Sequence, residues 1–446
     1  TSEAPILYWF MEDSDYETMY DEADLIIDNP YPVVFVYGDD VYDNAIVKTK
    51  GSNTRYNPKK SLKVNLPSGY TMNFPDMPAP LKEFQLNANF LSADVARYTT
   101  VFWAMKQAGL PSPDVKVSQL MRNGQFEGAY TVVDKYYSGW RNQYGFNDGQ
   151  IYEGPFIVNG ALDSSDYQAW RTRWMVDRKD AARRGDILDD ANLPGMYNYM
   201  AMAAITHHHD FNAQQNIFYY RDDDTARWQA LPWDHDQDFV IGSPRNMVST
   251  YDMQDAGGLD ERFYFDAIWD EVDLREAYLR RLSTLVDKFY ANDAIEDKYN
   301  EVSNQYSALN AADNAKWDPL ATGGRAPKST DLLSIRTFKK LFVTYYRNNW
   351  TLPPSQTQGE RESVEIDQVH ADADNTNEYI VLKNNASTAV DISDWVIEGI
   401  NYTIPAGAVI PKGASVYILR DDIGYKVLHG PVYAVGYYTT DLGSSG

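Results

Sequence analysis

The sequence predicts an α+β fold with a β-rich lobe (about residues 1–135), a mainly helical lobe (about 136–350) and a separate all-β domain (362–446). Three observations predict it. Hydrophobic residues make up 43% of 446 residues, and a chain of this length usually folds as two or three units. Apolar residues alternate in the first part and recur at three- and four-residue steps in the middle. The last part shows short strands separated by turns.

The β-rich lobe is predicted from strand patterns and one long helix. YPVVFVYG, NAIVKTKG and KKSLKVNL, between residues 30 and 66, are typical of strands. Residues 92–110 carry apolar side chains at helical spacing, and Gly109 followed by Pro111 ends that helix. VKVSQLM and GAYTVVDKY then flank Asn123 and Gly124, which predicts a hairpin.

The helical lobe is predicted around one further hairpin. Helical patterns occur from about Pro194 to Thr206 and from Leu259 to Trp350, and NIFYYRDDDTARWQALPW between them is typical of two strands. Residues 351–361 are rich in Pro, Gln and Thr, which indicates a linker. The final TTDLGSSG ends where another strand is expected, which is compatible with a truncated domain.

Composition narrows the class of protein. The net charge of -24, from 64 acidic and 40 basic residues, argues against nonspecific binding to nucleic acid or anionic lipid. Solvation of the chain, as in a salty medium, explains this charge most readily, and a basic partner is the alternative. The absence of cysteine excludes disulfides and sulfur-ligated zinc.

No apolar stretch predicts a membrane span. The start at Thr1 favours removal of a signal peptide, and this predicts a secreted or cell-surface protein.

Two acidic loops flank the second hairpin. HHHDFNAQQNIFYY (207–220) leads into its first strand, and WDHDQDF (233–239) follows its second strand. Phosphoryl transfer needs a carboxylate near the acceptor hydroxyl and oxygen ligands for a divalent cation. Asp210, Asn216 and Asp234 have those residue types, and protein kinases place an Asp, an Asn and a second Asp in the same order around a hairpin.

Three long segments together resemble the CotH kinase family: VKTKGSNTRYNPKKSLKVNL (47–66), residues 97–137 and residues 207–239. The resemblance extends over about residues 30–350. It implies an atypical, two-lobed protein-kinase-like fold and a secreted bacterial enzyme. Such an enzyme transfers the γ-phosphate of ATP to serine or threonine of a protein substrate, with Mg²⁺ or Mn²⁺.

The resemblance also implies roles for the acidic loops. Asp210 becomes the catalytic acid that positions the acceptor hydroxyl, and Asn216 and Asp234 become metal ligands. Asp236 is the reserve candidate for the role of Asp234, because the sequence does not separate the two. Five residues lie between Asp210 and Asn216, one more than in the protein-kinase pattern.

Two lysines and an arginine are candidates for binding the nucleotide phosphates. Lys60 shares a strand face with Leu62 and Val64, and a lysine on a half-buried face needs an anionic partner. Lys60 is therefore the first choice and Lys63, on the opposite face, the second. Arg55 is a candidate for a bidentate grip on a phosphate.

The strand GAYTVVDKY resembles the kinase strand that runs into the hinge, where backbone groups meet adenine. Asp134 stands where this family usually shows a glutamate. Asp134 keeps the carboxylate, but its side chain is one methylene shorter than that of glutamate. Any contact that Asp134 makes with the nucleotide would therefore be aimed differently.

The C-terminal EYIVLKNNASTAVDISDWVIEGINYTIPAGAVIPKGASVYIL resembles a lamin-tail domain. The resemblance implies an immunoglobulin-like sandwich. It suggests surface or protein attachment, or substrate delivery, rather than catalysis.

Two other functions stay open. A protein with the kinase shape and no turnover would be a binding or scaffold protein. A metal-dependent phosphoesterase or hydrolase could use His207, His208 and His209 beside Asp210, because imidazole suits zinc. The acidic run 222–224 is typical of a hairpin turn, with calcium binding as the alternative.

Overall fold

The computed structural model describes most of the chain. The described residues are 4–25, 27–51, 53–136, 138–153, 156–157, 165–176, 183–208, 216–240, 263–321, 324–349, 351–372, 377–439 and 442. None of the helices in these ranges combines the length and apolarity needed to cross a bilayer.

Seven strands form a closed barrel in the N-terminal part. They are β1 (Ile6–Phe10), β2 (Tyr31–Tyr37), β3 (Asp40–Lys50), β4 (Ser61–Asn65), β5 (Glu83–Asn87), β6 (Val115–Arg122) and β7 (Gln125–Asp134). Their order is β1-β2-β3-β4-β5-β7-β6, and parallel pairing of β1 with β6 closes the barrel. Inward-facing apolar side chains such as Leu62 and Val64 fill it and have no exposed area.

Local sequence explains a strand connection of the barrel and two of the helices that pack against it. The β6–β7 turn uses Asn123 and Gly124, both with positive φ (49° and 81°), so the hairpin predicted from this pair is confirmed. Helices α1 (Asp13–Asp24) and α2 (Ala96–Gln107) pack against β3 and β6 respectively. Gly109 follows α2 with φ 87° and ends it, as predicted.

The middle of the chain combines helices with a four-stranded sheet. The helices are α3 (Ser138–Gln143), α4 (Ser165–Val176), α5 (Arg183–Asp190), α6 (Leu193–Thr206), α7 (Phe263–Asp270), α8 (Val272–Val286), α9 (Ala294–Gln305), α10 (Ser307–Trp317) and α11 (Lys328–Lys340). The strands are β8 (Gln150–Glu153), β9 (Phe156–Ile157), β10 (Ile217–Arg221) and β11 (Trp228–Pro232), in the order β11-β10-β8-β9.

Helix α6 forms the centre of this part, and all of its residues are buried. Its start is fixed by Asn192, whose side chain accepts the N–H of Gly195 at 3.2 Å, and Pro194 fits the first turn. His207 ends the helix with φ 55°. The chain therefore turns sharply at the point where the predicted catalytic segment begins.

The C-terminal part is built from strands and two short helices. Its elements are α12 (Gln358–Glu362), β12 (Val364–His370), β13 (Tyr379–Asn384), β14 (Val390–Asp391), β15 (Val396–Ile397), β16 (Tyr402–Thr403), β17 (Val409–Ile410), β18 (Ser415–Leu419), α13 (Asp422–His429) and β19 (Ala434–Tyr437). One sheet has the order β12-β13-β18-β19, and β14 pairs with β17 and β15 with β16.

This part departs from the all-β prediction in two places. α12 lies across the end of the predicted linker, because Thr357 and Glu360 form a capping box. α13 forms where Asp421 caps a helix start by accepting the N–H of Gly424 at 3.0 Å. Both helices begin at a local side-chain cap that strand periodicity does not register. The linker and domain boundaries themselves stay predictions.

A buried arginine joins the C-terminal part to the helices. Arg281 of α8 lies 3.1 Å from the Asp391 carboxylate and donates to Asn198 Oδ1 at 2.7 Å and to the Ala108 carbonyl at 3.0 Å. Arg281 and Asp391 are both buried. A single guanidinium thus ties α8, α6 and the end of α2 to β14.

Close backbone contact reinforces this connection. Asn198 donates to the Ala406 carbonyl at 2.9 Å, and a side chain at Gly407 (φ 93°) would collide with the Pro194 carbonyl. A second buried pair at 2.9 Å joins Arg227, the residue directly before β11, to Asp422 at the start of α13. The C-terminal part is therefore packed on the helices as one continuous apolar core.

Candidate functional site

The β10–β11 hairpin brings two predicted metal ligands to the same end of one sheet. Its last ladder pair is Ile217 with Pro232, so Asn216 lies one residue before the ladder and Asp234 two residues after it. Both have positive φ, 64° and 53°, a conformation that residues other than glycine adopt at an energetic cost. The two oxygen-bearing side chains therefore leave the backbone from neighbouring, tightly turned positions.

Lys50, the last residue of β3, meets Asp234 between the barrel and the hairpin. Its Nζ lies 3.2 Å from Oδ1 of Asp234 and donates to Oε1 of Gln85 at 2.6 Å. The Lys50 side chain is only 7% exposed and that of Asp234 25%. A buried ammonium is costly without an anionic partner. At this pair, the ammonium group of the barrel residue Lys50 contacts the acidic loop 233–239.

Lys63 adds positive charge to the same outer face of the barrel. The β3–β4 register places Lys48 opposite Lys63 and Lys50 opposite Ser61, and alternate side chains of a strand share a face. Burial lowers the pKa of Lys63, and the charges of Lys48 and Lys50 lower it further. The face thus carries three ammonium groups, of which Lys48 pairs with Asp28 at 3.1 Å and Lys50 with Asp234 at 3.2 Å.

Glu153, the last residue of β8, is an acidic neighbour of these lysines. It is exposed and lies within electrostatic reach of Lys63, Lys50 and Asp234. The face thus carries carboxylates on the side of the hairpin and lysines on the side of the barrel.

Lys60 and Arg55 are engaged by other parts of the chain. Lys60 lies on the barrel-core side with Leu62, and its ammonium bonds the Asp24 carboxylate of α1 and the Arg55 carbonyl. The Arg55 guanidinium lies 3.4 Å from Asp28 and donates to the Gly51 carbonyl. The anionic partner expected for Lys60 is thus a carboxylate of the protein. The nucleotide-binding roles of both residues stay predictions.

Asp134 is buried at the end of β7, where the predicted hinge begins. Its carboxylate accepts the backbone N–H of Lys135 at 2.7 Å. Burial raises the pKa of Asp134 to about 7, and the Asp114 carboxylate adds to the rise while the Lys135 N–H opposes it. Asp134 therefore changes its charge in the neutral pH range.

We expect the stability of the folded chain to fall between pH 4 and 7 because of Asp134. A carboxyl whose pKa rises from 3.8 to about 7 on folding binds more protons in the folded state across this interval, so its contribution is full below pH 3.8 and lost as pH approaches 7. The loss amounts to about 4 kcal/mol. Unfolding in urea at several pH values measures it, and Asp134→Asn should flatten the profile. Parallel profiles for the two proteins would contradict the prediction.

Asp236, the reserve candidate, lies close to Tyr98, as Asp234 does. It lines a small cavity beside the barrel with Asn87, Arg97 and Tyr98. Asp234 and not Asp236 contacts Lys50 in the described residues. The contact with Lys50 therefore favours Asp234 over Asp236 as the carboxylate that lies at the outer face of the barrel.

Two histidines and an aspartate form a buried group behind this loop. His208 Nδ1 lies 2.7 Å from one oxygen of Asp238, and His235 Nδ1 lies 2.9 Å from the other. Burial opposes ionisation of Asp238, but His235 and His208 hold its pKa well below the usual range. Potential ligand atoms of the three residues lie within 4.8 Å of one another. His207 instead stacks on Phe338 at 4.5 Å between ring centroids.

Asp210 and His209 lie outside the described residues, so the catalytic role of Asp210 stays a prediction. The described residues nearby supply an amide oxygen at Asn216, a carboxylate at Asp234 and an ammonium at Lys50. Magnesium prefers oxygen ligands, and phosphates pair with lysine. This donor set fits a divalent cation with a phosphate ligand.

Lys50, Glu153 and Asp238 were not among the site residues predicted from the sequence. Lys50 had a usable signal, because it shares the alternate face with Lys48 and stands directly before Gly51, where the strand must end. Asp238 lies in the predicted acidic loop but had no feature that separated it from Asp236. Glu153 lies in a short strand that the periodicity did not identify.

Comparisons with known proteins extend these observations. Residues 47–340 match the family model of the CotH kinase protein, and residues 357–435 match that of the Lamin Tail Domain. A search of curated proteins finds no match. Among solved structures, the Helicobacter pylori proinflammatory kinase CtkA aligns with 7% identity and a TM-score of 0.23, over 57% of this chain and 98% of that chain.

Proposed function

Because this chain belongs to the CotH kinase family and carries a lamin tail domain, we propose that it transfers the γ-phosphate of ATP to serine or threonine of a protein substrate. The observation that carries the proposal is the Lys50–Asp234 pair at 3.2 Å. It puts a buried ammonium beside a carboxylate that is still partly open to solvent. Phosphoryl transfer depends mainly on such positioned charges.

We propose separate roles for the residues around the pair. Lys50 would bind the ATP phosphates, and Lys63 would add positive charge on the same face. Asn216 and Asp234 would hold Mg²⁺ or Mn²⁺, which neutralises the charge that develops on the phosphates when bound. Asp210 would position the acceptor hydroxyl.

The adenine end of the site would lie at the end of β7. Asp134 is buried there, and Lys135 bonds Glu83 of the neighbouring strand β5 at 2.7 Å. The side chains beside the predicted hinge are therefore held in place by the barrel. Backbone groups of this segment would meet the base, as the kinase resemblance implies.

The partner and the location are also part of the proposal. The net charge of -24 favours a basic protein substrate. The lamin tail domain would bring the enzyme to a surface or to its substrate, and the enzyme would act outside the cytoplasm. Fractionation of cells that produce the native protein tests the location.

We expect the purified chain to transfer label from γ-labelled ATP to itself or to a basic, serine-rich protein when Mg²⁺ or Mn²⁺ is present. Asp210→Ala and Asp234→Ala should abolish transfer while circular dichroism shows an intact fold. Asp223→Ala, which removes an exposed acid from the turn of the same hairpin, is the matched control and should keep full activity.

Two outcomes would count against the proposal. ATP binding without transfer would support the scaffold function. Transfer that persists in Asp234→Ala would show that the Lys50–Asp234 pair is not the site.

A further inference from the structure

Asp238 is a buried carboxylate that uses both oxygens on two histidines. Its oxygens lie 2.7 Å and 2.9 Å from Nδ1 of His208 and of His235, and all three side chains have no exposed area. An ionised carboxylate only accepts hydrogen bonds, so each Nδ1 carries a proton and donates. The imidazole rings lie 3.9 Å apart between centroids and thus pack against each other.

The two histidines come from the two segments that carry the site. His208 stands two residues before Asp210, and His235 follows Asp234 directly. Asp238 is itself in the second segment, so its bond to His208 links the segments. A backbone bond repeats the link, because the N–H of Phe239 donates to the Thr206 carbonyl at 2.8 Å.

The turn that carries Asp234 needs such support. Asp234 has φ 53° and Phe239 has φ 58°, so strained positions stand on both sides of the short helical turn His235–Gln237. Conformations of this kind persist only where surrounding contacts hold them. Asp238 and Phe239 supply contacts of this kind, because they bond His208 and the Thr206 carbonyl of the opposite segment.

We infer that Asp238 is a positioning residue that locks the loop of Asp234 to the segment leading into Asp210. It keeps the Asp234 side chain beside Lys50, oriented so that its carboxylate can bind a divalent cation. The inference rests on the proposed function. The alternative use of the three side chains is a zinc site, but zinc ligands lie about 2.0–2.2 Å from the metal, and the observed contacts fit hydrogen bonds between the side chains themselves.

The experiment compares variants for cation affinity, not only for activity. Calorimetry measures binding of Mn²⁺ to the full chain saturated with a nonhydrolysable ATP analogue. We expect Asp238→Ala to weaken Mn²⁺ binding about 10- to 100-fold, the usual effect of removing a group that orients a metal ligand. Asp238→Asn can accept from one histidine and donate to the other, so it should restore most of the affinity.

Two further variants keep the test decisive. His208→Phe keeps an aromatic ring, removes the side-chain link between the segments and should also weaken Mn²⁺ binding. It replaces Asp238→Ala in the test if that variant does not fold. Asp190→Ala removes another buried carboxylate, paired with Arg173 at 2.8 Å, and should leave Mn²⁺ affinity unchanged.

The outcomes separate this inference from the proposed function. Unchanged Mn²⁺ affinity in folded Asp238→Ala or in His208→Phe would overturn the inference while leaving the kinase proposal intact. Stoichiometric zinc in the wild-type protein that is lost in Asp238→Ala would also overturn it. A wild-type chain that binds no ATP analogue would refute both.

Discussion

Lys50→Met will lower ATP-dependent phosphoryl transfer about 10²- to 10³-fold, the usual loss when one preorganised charge is removed from a reaction centre. The Lys50 ammonium lies 3.2 Å from Asp234 and is buried, so no solvent cation replaces it easily. Methionine keeps most of the length of the side chain and removes the charge. Initial rates at saturating ATP and Mg²⁺ measure the effect.

Lys60→Met and Lys63→Met complete the comparison. We expect Lys60→Met to keep the wild-type rate, because its ammonium bonds Asp24 and the Arg55 carbonyl. Lys63→Met should raise the KM for ATP more than it lowers kcat, because Lys63 adds charge to the same face. A larger loss of rate in Lys60→Met than in Lys50→Met would identify Lys60, the first choice from the sequence, as the phosphate-binding lysine.

Arg281→Ala will lower the free energy of unfolding by about 3–5 kcal/mol, the usual cost of breaking a buried ion pair from one side. The substitution leaves the buried Asp391 carboxylate without its ion partner and removes the donors to Asn198 and the Ala108 carbonyl. Urea unfolding of the full chain, followed by tryptophan fluorescence, measures the change.

A surface arginine supplies the control for this prediction. Arg336 pairs with Glu296 at 2.5 Å, and its side chain is 59% exposed, so Arg336→Ala should leave the unfolding midpoint unchanged. We also expect the wild-type helices and lamin tail domain to unfold together. Two well-separated transitions, or equal effects of the two substitutions, would show that Arg281 does not couple them.

The parts of the fold that depend on local signals were predictable. Asn123 and Gly124 specified their hairpin because a tight turn needs two residues that tolerate positive φ. Gly109 ended its helix for the same reason. The second hairpin was also predicted, and with it the end of the sheet at which Asn216 and Asp234 both lie.

The surroundings of Lys60 and Lys50 were not predictable from one strand. Alternation correctly put Lys60 on the face of Leu62, but it could not show that this face is the inside of a barrel. Nor could it show that Asp24, on a helix far away in sequence, supplies the negative charge. The barrel closes with the face of Leu62 on the inside. The opposite face, which carries Lys50, is therefore the one that contacts the acidic loop.

The contacts of Asp238 were not predictable for a related reason. A carboxylate two residues from a candidate metal ligand looks like another ligand when only the sequence is read. Its two histidine partners come from segments separated by a hairpin, and that pairing exists only after folding.

Packing of the lamin tail domain on the helices also limits how this chain can be divided or recombined. Helix α8 packs against β14 and β17, and the Pro194 carbonyl lies where only a glycine at 407 can approach. Removing the tail would expose that helix to water, and exposed apolar surfaces of this kind promote self-association. Exchange of tails between relatives therefore requires matched partner surfaces, unlike the exchange of modules joined by a flexible tether.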